Sequence, residues 1–214
     1  MVYPEDEGVA TVLRGWAGDA RVLLPALRPG DRLVLGRGRD VDGIVVLGSK
    51  ASVHDSHRWL DELSAWLLPV LAGDTRIPLL GICFGHQLIA HLAGGAVGYL
   101  HDDRAQELGV RETVLEPGRL VPERRVARVV ASHREEVKRT PPGYRVAAHC
   151  ERVPVDGLEH ESLPVIGFQF HPEAGRSFLE ARGVDGSQLE PGMIAEAESL
   201  LSAFRRLVLA RGAV

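Results

Sequence analysis

An α/β open sheet with helices on both faces is the fold class this sequence predicts. Three observations carry it. Short runs rich in Val, Ile and Leu alternate with amphipathic stretches of helical period. Several of those runs stay apolar through most of their length, as strands buried on both faces do. Glycine and proline punctuate the boundaries between the two kinds of segment.

The strand candidates are Gly43–Leu47, Ile77–Ile82, Arg125–Ala131 and Leu163–Phe170. The first, second and last are nearly continuous in apolar residues, which fits a parallel or mixed sheet. His57–Ala72 places Trp59, Leu60, Leu63, Trp66, Leu67 and Val70 at helical spacing. Trp59 and Trp66 share the apolar face and read as core. His86–Ala93 is a shorter helix, stopped by Gly94-Gly95. Gly192–Leu209 carries Ile194, Ala197, Leu200, Leu201, Phe204 and Val208 along one side. Gly98–Pro122 breaks the alternation and reads as a hairpin-rich insertion. Its strands are expected near Gln106–Leu115 and Arg125–Ala131, with Glu116-Pro-Gly118 as a turn signal. Pro141-Pro-Gly143 marks a further turn.

The chain has 214 residues, 45% of them hydrophobic and 25% charged. That is enough to bury a large core without disulfide staples. No linker divides it, so one domain is expected over 1–214, with a core at about 41–175 and a C-terminal helical appendage at about 176–214. The net charge of -4 excludes a strong pull on nucleic acid or on an anionic membrane. No apolar run is long enough for a membrane span. Met1–Gly8 is acidic and lacks the apolar core of a signal peptide. The two cysteines, Cys83 and Cys150, make no disulfide framework. A cytoplasmic location is the default expectation. His54, His57 and the His149-Cys150 pair lack the spacing of zinc ligands, and no phosphate-binding loop or dinucleotide fingerprint occurs. Neither a metal nor a cofactor is therefore expected.

The strongest local signal is Leu80-Gly-Ile-Cys-Phe-Gly-His-Gln87. An apolar strand runs into Gly-x-Cys-x-Gly, and a helix follows. This is the cysteine form of a nucleophile elbow. The reacting sulfur sits on a sharp strand-to-helix turn, and the flanking glycines remove side chains that would clash across it. The first N–H groups of the helix, starting at Phe84, favour negative charge and can bind an oxyanion. The same motif alone also fits a buried structural cysteine.

A nucleophilic thiol needs a base, and the base needs an orienter. Among nine histidines one is placed for this. Phe168-Gln-Phe-His-Pro-Glu173 follows the last apolar run, so His171 lies just past a strand end, where open α/β sheets bind ligands. Glu173 is two residues on and projects to the same side in extended backbone. Pro172 stiffens the step between them. Alone, His-Pro-Glu also fits a polar surface turn. Together, the two motifs point to a Cys83–His171–Glu173 triad.

These two motifs resemble those of the class I glutamine amidotransferases, and within them the free-standing group similar to the glutaminase domain of GMP synthase. Asp42-Gly-Ile-Val-Val-Leu-Gly48 resembles the strand leading to that family's oxyanion loop. Ser132-His-Arg-Glu-Glu-Val137, followed by Pro-Pro-Gly, resembles its Ser-His-x-Asp-x-Val segment. The resemblance implies a flavodoxin-like sheet, mostly parallel, with the insertion as a small hairpin-rich piece. It implies a Cys83 thioester, ammonia and glutamate as products, and Gly48, Ser49 and Phe84 as oxyanion donors. It implies that Gln87, Ser132 and His133 lie near the substrate. For His133 a solvated histidine before a charged run fits as well.

Three functional readings stay open. The first is a glutaminase that feeds ammonia to a synthetase acting in trans. The second is a γ-glutamyl peptide hydrolase using the same triad. The third is a non-catalytic binding or regulatory protein on the same fold.

Two departures from the family pattern stand out. Ser49 replaces the second glycine of the usual Gly-Gly-Pro; if that residue must take positive φ, serine makes the conformation costlier. Pro4 ends any opening strand almost at once, so the usual first strand is expected to be missing, reduced to Met1–Tyr3, or lost to a misplaced start.

Overall fold

The computed structural model describes residues 4–16, 18–28, 31 and 41–211. Met1–Tyr3, where a residual first strand is expected, lies outside them. From Pro4 the chain is helical: α1 spans Pro4–Leu13. Proline suits a helix start, where its missing N–H would be unpaired anyway.

The predicted α/β sheet is present. In chain order the elements after α1 are β1 (Ile44–Val46), α2 (Arg58–Leu71), β2 (Leu79–Ile82), α3 (Phe84–Leu92), β3 (Ala96–Tyr99), β4 (Glu107–Leu115), β5 (Arg125–His133), β6 (Glu135–Arg139), β7 (Tyr144–His149), β8 (Gly157–His160), β9 (Val165–Phe168), α4 (Arg176–Glu180) and α5 (Pro191–Arg211). Among the described residues seven strands form one sheet in the order β1-β2-β9-β8-β7-β4-β5, and β3 pairs with β6 in a separate ribbon.

The sheet is mixed. β1–β2 and β2–β9 are parallel. The junctions β9–β8, β8–β7, β7–β4 and β4–β5 are antiparallel. The parallel end therefore holds the runs that looked apolar throughout. The expected hairpin is β4–β5, in register from Glu107↔His133 to Leu115↔Arg125. The sequence reading does not single out β6, β7 and β8. β6 reads Glu-Glu-Val-Lys-Arg and β8 Gly-Leu-Glu-His, so charge masks their strand pattern.

Alternation across the central strands feeds two cores. On one face Leu79 and Val165 pack with Leu60, Leu63, Leu67 and Val70 of α2 and with Phe84, Leu88 and Ile89 of α3. On the other face Leu80, Ile82, Ile166 and Phe168 pack with Leu200, Leu201, Phe204 and Val208 of α5. Helices thus cover both faces, and fully burying each such Leu, Ile or Phe contributes about 1.5–3 kcal/mol. Trp59 and Trp66 pack half-buried against the first core, in line with their reading as core residues. α3 ends where the Gly94-Gly95 signal put it: Gly94 takes φ +88, and the Gly95 N–H closes onto the Ala90 carbonyl at 2.8 Å.

Among the described residues β1 has a partner only in β2. α1 packs beside α4, where Ser177 Oγ donates to the Glu7 carboxylate.

Candidate active site

Cys83 stands between β2 and α3. Its N–H bonds the Phe168 carbonyl of β9 at 2.8 Å, and its carbonyl accepts the Gln87 N–H of α3 at 3.0 Å. One residue therefore ends the strand and starts the helix. The turn forces it to φ 52, ψ -102. A non-glycine residue held there carries strain that the surroundings must enforce, and such residues concentrate at functional sites. The glycines on either side explain how the chain gets so close. A Cβ on Gly81 would fall 2.6 Å from the Gly85 carbonyl, and one on Gly85 would overlap the Val46 carbonyl oxygen. The motif packs β1, β2 and α3 at backbone contact.

His171 follows β9 and is anchored by its own N–H to the Val130 carbonyl of β5 at 2.8 Å. Its Nδ1 lies 2.8 Å from Glu173 Oε1. Both side chains are buried, and neither His171 Nε2 nor Glu173 Oε2 has a hydrogen-bond partner among the described residues. The Cys83 side chain and the His171 ring share one small space, because a Cβ on Gly48 would meet His171 Cε1 at 3.0 Å and Cys83 Cβ at 3.7 Å. Burial works against a charged imidazole here. The Glu173 carboxylate and the Cys83 sulfur outweigh it and push His171 up to about 10. The three groups read as triad members are thus brought together from two strand ends.

Gly48 and Ser49 lie on the exposed loop after β1, with Gly48 against Cys83 and His171. Ser49 is not in the left-handed region. Its hydroxyl accepts the Ala51 N–H at 3.2 Å, a local turn that serine makes and glycine cannot. The expected penalty of serine at this position therefore does not arise in this conformation. Phe84 begins α3, so its N–H belongs to the unpaired first turn beside the sulfur.

The three residues expected near the substrate divide. The Ser132 carbonyl lies 3.7 Å from Cys83 Sγ, and its hydroxyl accepts from Gln106 Nε2 at 3.0 Å. Ser132 therefore borders the sulfur. Gln87 is buried and spends its amide N–H groups inward, on the Glu135 carbonyl at 2.6 Å and on Gln169 Oε1 at 3.1 Å. His133 is buried rather than solvated: Nδ1 lies 3.1 Å from the Glu135 carbonyl and Nε2 lies 2.9 Å from Glu107.

Sequence reasoning missed the charges behind His133. Burial alone would raise Glu107, yet His133 and Arg111 hold it below the ordinary carboxylate range. Arg111 makes a bidentate pair with fully buried Asp156, 2.6 Å for each bond, and Thr113 Oγ1 donates to the same carboxylate at 2.5 Å. Glu107 faces His133 only because of the β4–β5 register, which no local motif signals. His86, three residues past the sulfur, points away into the core. Burial lowers it to about 4 despite nearby Asp156. A cavity of about 390 Å³ lies between α1, β5 and α5, with His171 and Pro172 in its lining.

The class of protein is an α/β protein with a cysteine at a strand-to-helix elbow, beside a buried histidine–carboxylate pair on a flavodoxin-like sheet. The sequence profile of the family described as glutamine amidotransferase class-I matches residues 33–182. The chain belongs to that family. It is 44% identical over 104 residues to a glutamine-hydrolyzing GMP synthase subunit from Thermococcus kodakarensis, covering 47% of this chain and 53% of that one. To the protein of the same name from Methanothermobacter thermautotrophicus it is 32% identical over 165 residues, covering 71% and 74%. The chain thus spans about half the length of the Thermococcus protein. A glutamine amido transferase structure from Methylobacillus flagellatus shares the fold, with a TM-score of 0.75 at 20% identity over 93% of this chain and 88% of that one. Among the described residues no helix is long and apolar enough to cross a membrane.

Proposed function

We propose that this chain hydrolyses the side-chain amide of glutamine through a Cys83 thioester, with His171 and Glu173 completing the triad. The observation that carries the reading is the His171–Glu173 contact of 2.8 Å, buried beside a cysteine at φ 52. A buried imidazole raised to about 10 stays protonated at neutral pH, which matches a thiolate–imidazolium pair ready for attack.

The thiolate of Cys83 attacks the amide carbon. The N–H groups of Phe84 and of the Gly48–Ser49 loop hold the oxygen as it gains charge. His171 gives its proton to the nitrogen, the C–N bond breaks and ammonia leaves. Neutral His171 then takes a proton from water, whose oxygen attacks the thioester. Glutamate leaves, and the thiolate–imidazolium pair is restored. Glu173 orients the ring and stabilises its charge without taking the proton. Ser132 borders the substrate, and Gln87 and His133 act from behind it through the Glu135 backbone they hold.

The relatives are named as one subunit of a glutamine-hydrolyzing GMP synthase, which supports a synthetase partner that receives the ammonia in trans. Release of ammonia and glutamate across glutamine and γ-glutamyl compounds tests the reading. Glutamine turnover that disappears in Cys83→Ala, by about 10⁶-fold, is the expected result. Faster turnover of γ-glutamyl peptides would move the function to a hydrolase. Equal rates for Cys83→Ala and wild type would refute the mechanism.

A further inference from the structure

Glu135 occupies the position that is aspartate in the family's Ser-His-x-Asp-x-Val segment. It opens the ribbon strand β6 and is only 9% exposed. Its Oε1 accepts the Ser52 hydroxyl across 3.0 Å. Ser52 lies three residues beyond Ser49, on the loop that carries the oxyanion donors. Its Oγ also accepts the His54 N–H at 3.2 Å, and its own N–H donates to Asp55 Oδ2 at 2.9 Å. Val53 beside it is buried, which fixes the middle of the loop to the core.

The main chain of the same residue holds the rest of the site. The Glu135 carbonyl accepts Gln87 Nε2 at 2.6 Å, and His133 Nδ1 lies 3.1 Å from it. One residue therefore joins the oxyanion loop, the helix that starts at the nucleophile and the end of β5. The longer glutamate side chain makes the bond to Ser52, and that bond is the link between the loop and the other two elements through this hub.

We propose that Glu135 is a positioning residue for the oxyanion loop: through Ser52 it fixes where the Gly48–Ser49 N–H groups stand relative to Cys83. The inference rests on the glutaminase reading above. Oxyanion stabilisation depends on placement, and an error of about 1 Å can cost on the order of 10²-fold.

The test uses the full chain and two readouts. Steady-state hydrolysis of glutamine reports the oxyanion site. Alkylation of Cys83 by iodoacetamide reports the thiolate, because that displacement forms no oxyanion. Glu135→Ala and Ser52→Ala should each lower kcat about tenfold, with KM within about twofold and the alkylation rate within about twofold. The double variant should be no slower than the slower single one, because both remove the same bond. Glu135→Gln keeps the accepting oxygen and should recover most of kcat. Ser52→Ala, at a half-buried loop position, carries the test alone if Glu135→Ala does not fold. Unchanged kcat in Ser52→Ala would overturn the inference, as would alkylation falling in step with kcat. Wild-type protein that alkylates normally yet turns over no glutamine would instead overturn the glutaminase reading, and the inference with it.

Discussion

The strand-to-helix elbow at Cys83 and the loop after β1 face each other across a few ångströms and are built in opposite ways. At the elbow, backbone meets backbone. Gly81 and Gly85 leave no room for a Cβ, and the Cys83 N–H and carbonyl are both bonded. In the loop, Gly48, Ser49 and Lys50 are exposed, and the position is held by side chains: Ser49 to Ala51, Ser52 to Glu135, and His54 Nε2 to the Val97 carbonyl at 3.1 Å. The difference locates where the protein tolerates change. The elbow resists any alteration because its neighbours over-determine it. The loop is adjustable, so its geometry depends on a few polar links.

The largest effect on this contrast is expected at His171, the proposed base, which both regions approach. Glu173→Gln removes the chief attraction holding the proton on His171, and activity should fall by about 10⁴-fold. The sign of the pH effect follows from the raised value. His171 remains protonated until the pH rises through about 10, so the alkaline limb of kcat/KM lies near there in wild type. Losing the carboxylate lowers the histidine, so the residual activity of Glu173→Gln should lose its alkaline limb at lower pH. A limb that stays in place would mean that Glu173 does not set the protonation of the base.

At the elbow, Gly85→Ala should destabilise the fold by about 2–3 kcal/mol, because the added methyl overlaps the Val46 carbonyl oxygen. Chemical denaturation measures it, and a loss below about 0.5 kcal/mol would show that the elbow yields. In the loop, Gly48→Ala should leave stability nearly unchanged and lower kcat about tenfold, because the methyl presses on His171 Cε1 at 3.0 Å rather than on backbone. Equal losses of stability for the two glycines would erase the distinction between the regions. The smallest effect is Ser49→Gly. Ser49 is outside the left-handed region and among the described residues bonds the exposed Ala51 N–H, so kcat should change by less than about threefold. A large gain would mean that serine blocks a peptide conformation the reaction requires.

The same contrast explains what was legible in the sequence. The elbow is a steric requirement, so it leaves a compact signature: two glycines, a cysteine and the strand and helix around them. His171 and Glu173 are two residues apart on one stiffened segment and are equally local. The central strands declare themselves by continuous apolar runs, and α2, α3 and α5 by their period. The bonds that hold the loop and the buried groups behind Ser132 join residues far apart in sequence. Ser52 meets Glu135, and Glu107 meets His133, through strand register alone. No motif encodes such a meeting, so the buried setting of His133 and the role of the β6 ribbon emerge only from the fold. Charged β6 and β8 were hidden for a related reason, since Glu135, Glu136 and Glu159 are buried with polar partners instead of marking solvent.

The central claim is that Cys83 is the nucleophile of a glutamine-shaped site. Labelling with a glutamine analogue whose γ-amide is replaced by a diazoketone tests it most directly, read by intact mass and peptide mapping. One adduct per chain, on Cys83 and suppressed by excess glutamine, is the predicted result. An adduct on Cys150, or no adduct from protein that still releases ammonia from glutamine, would contradict it.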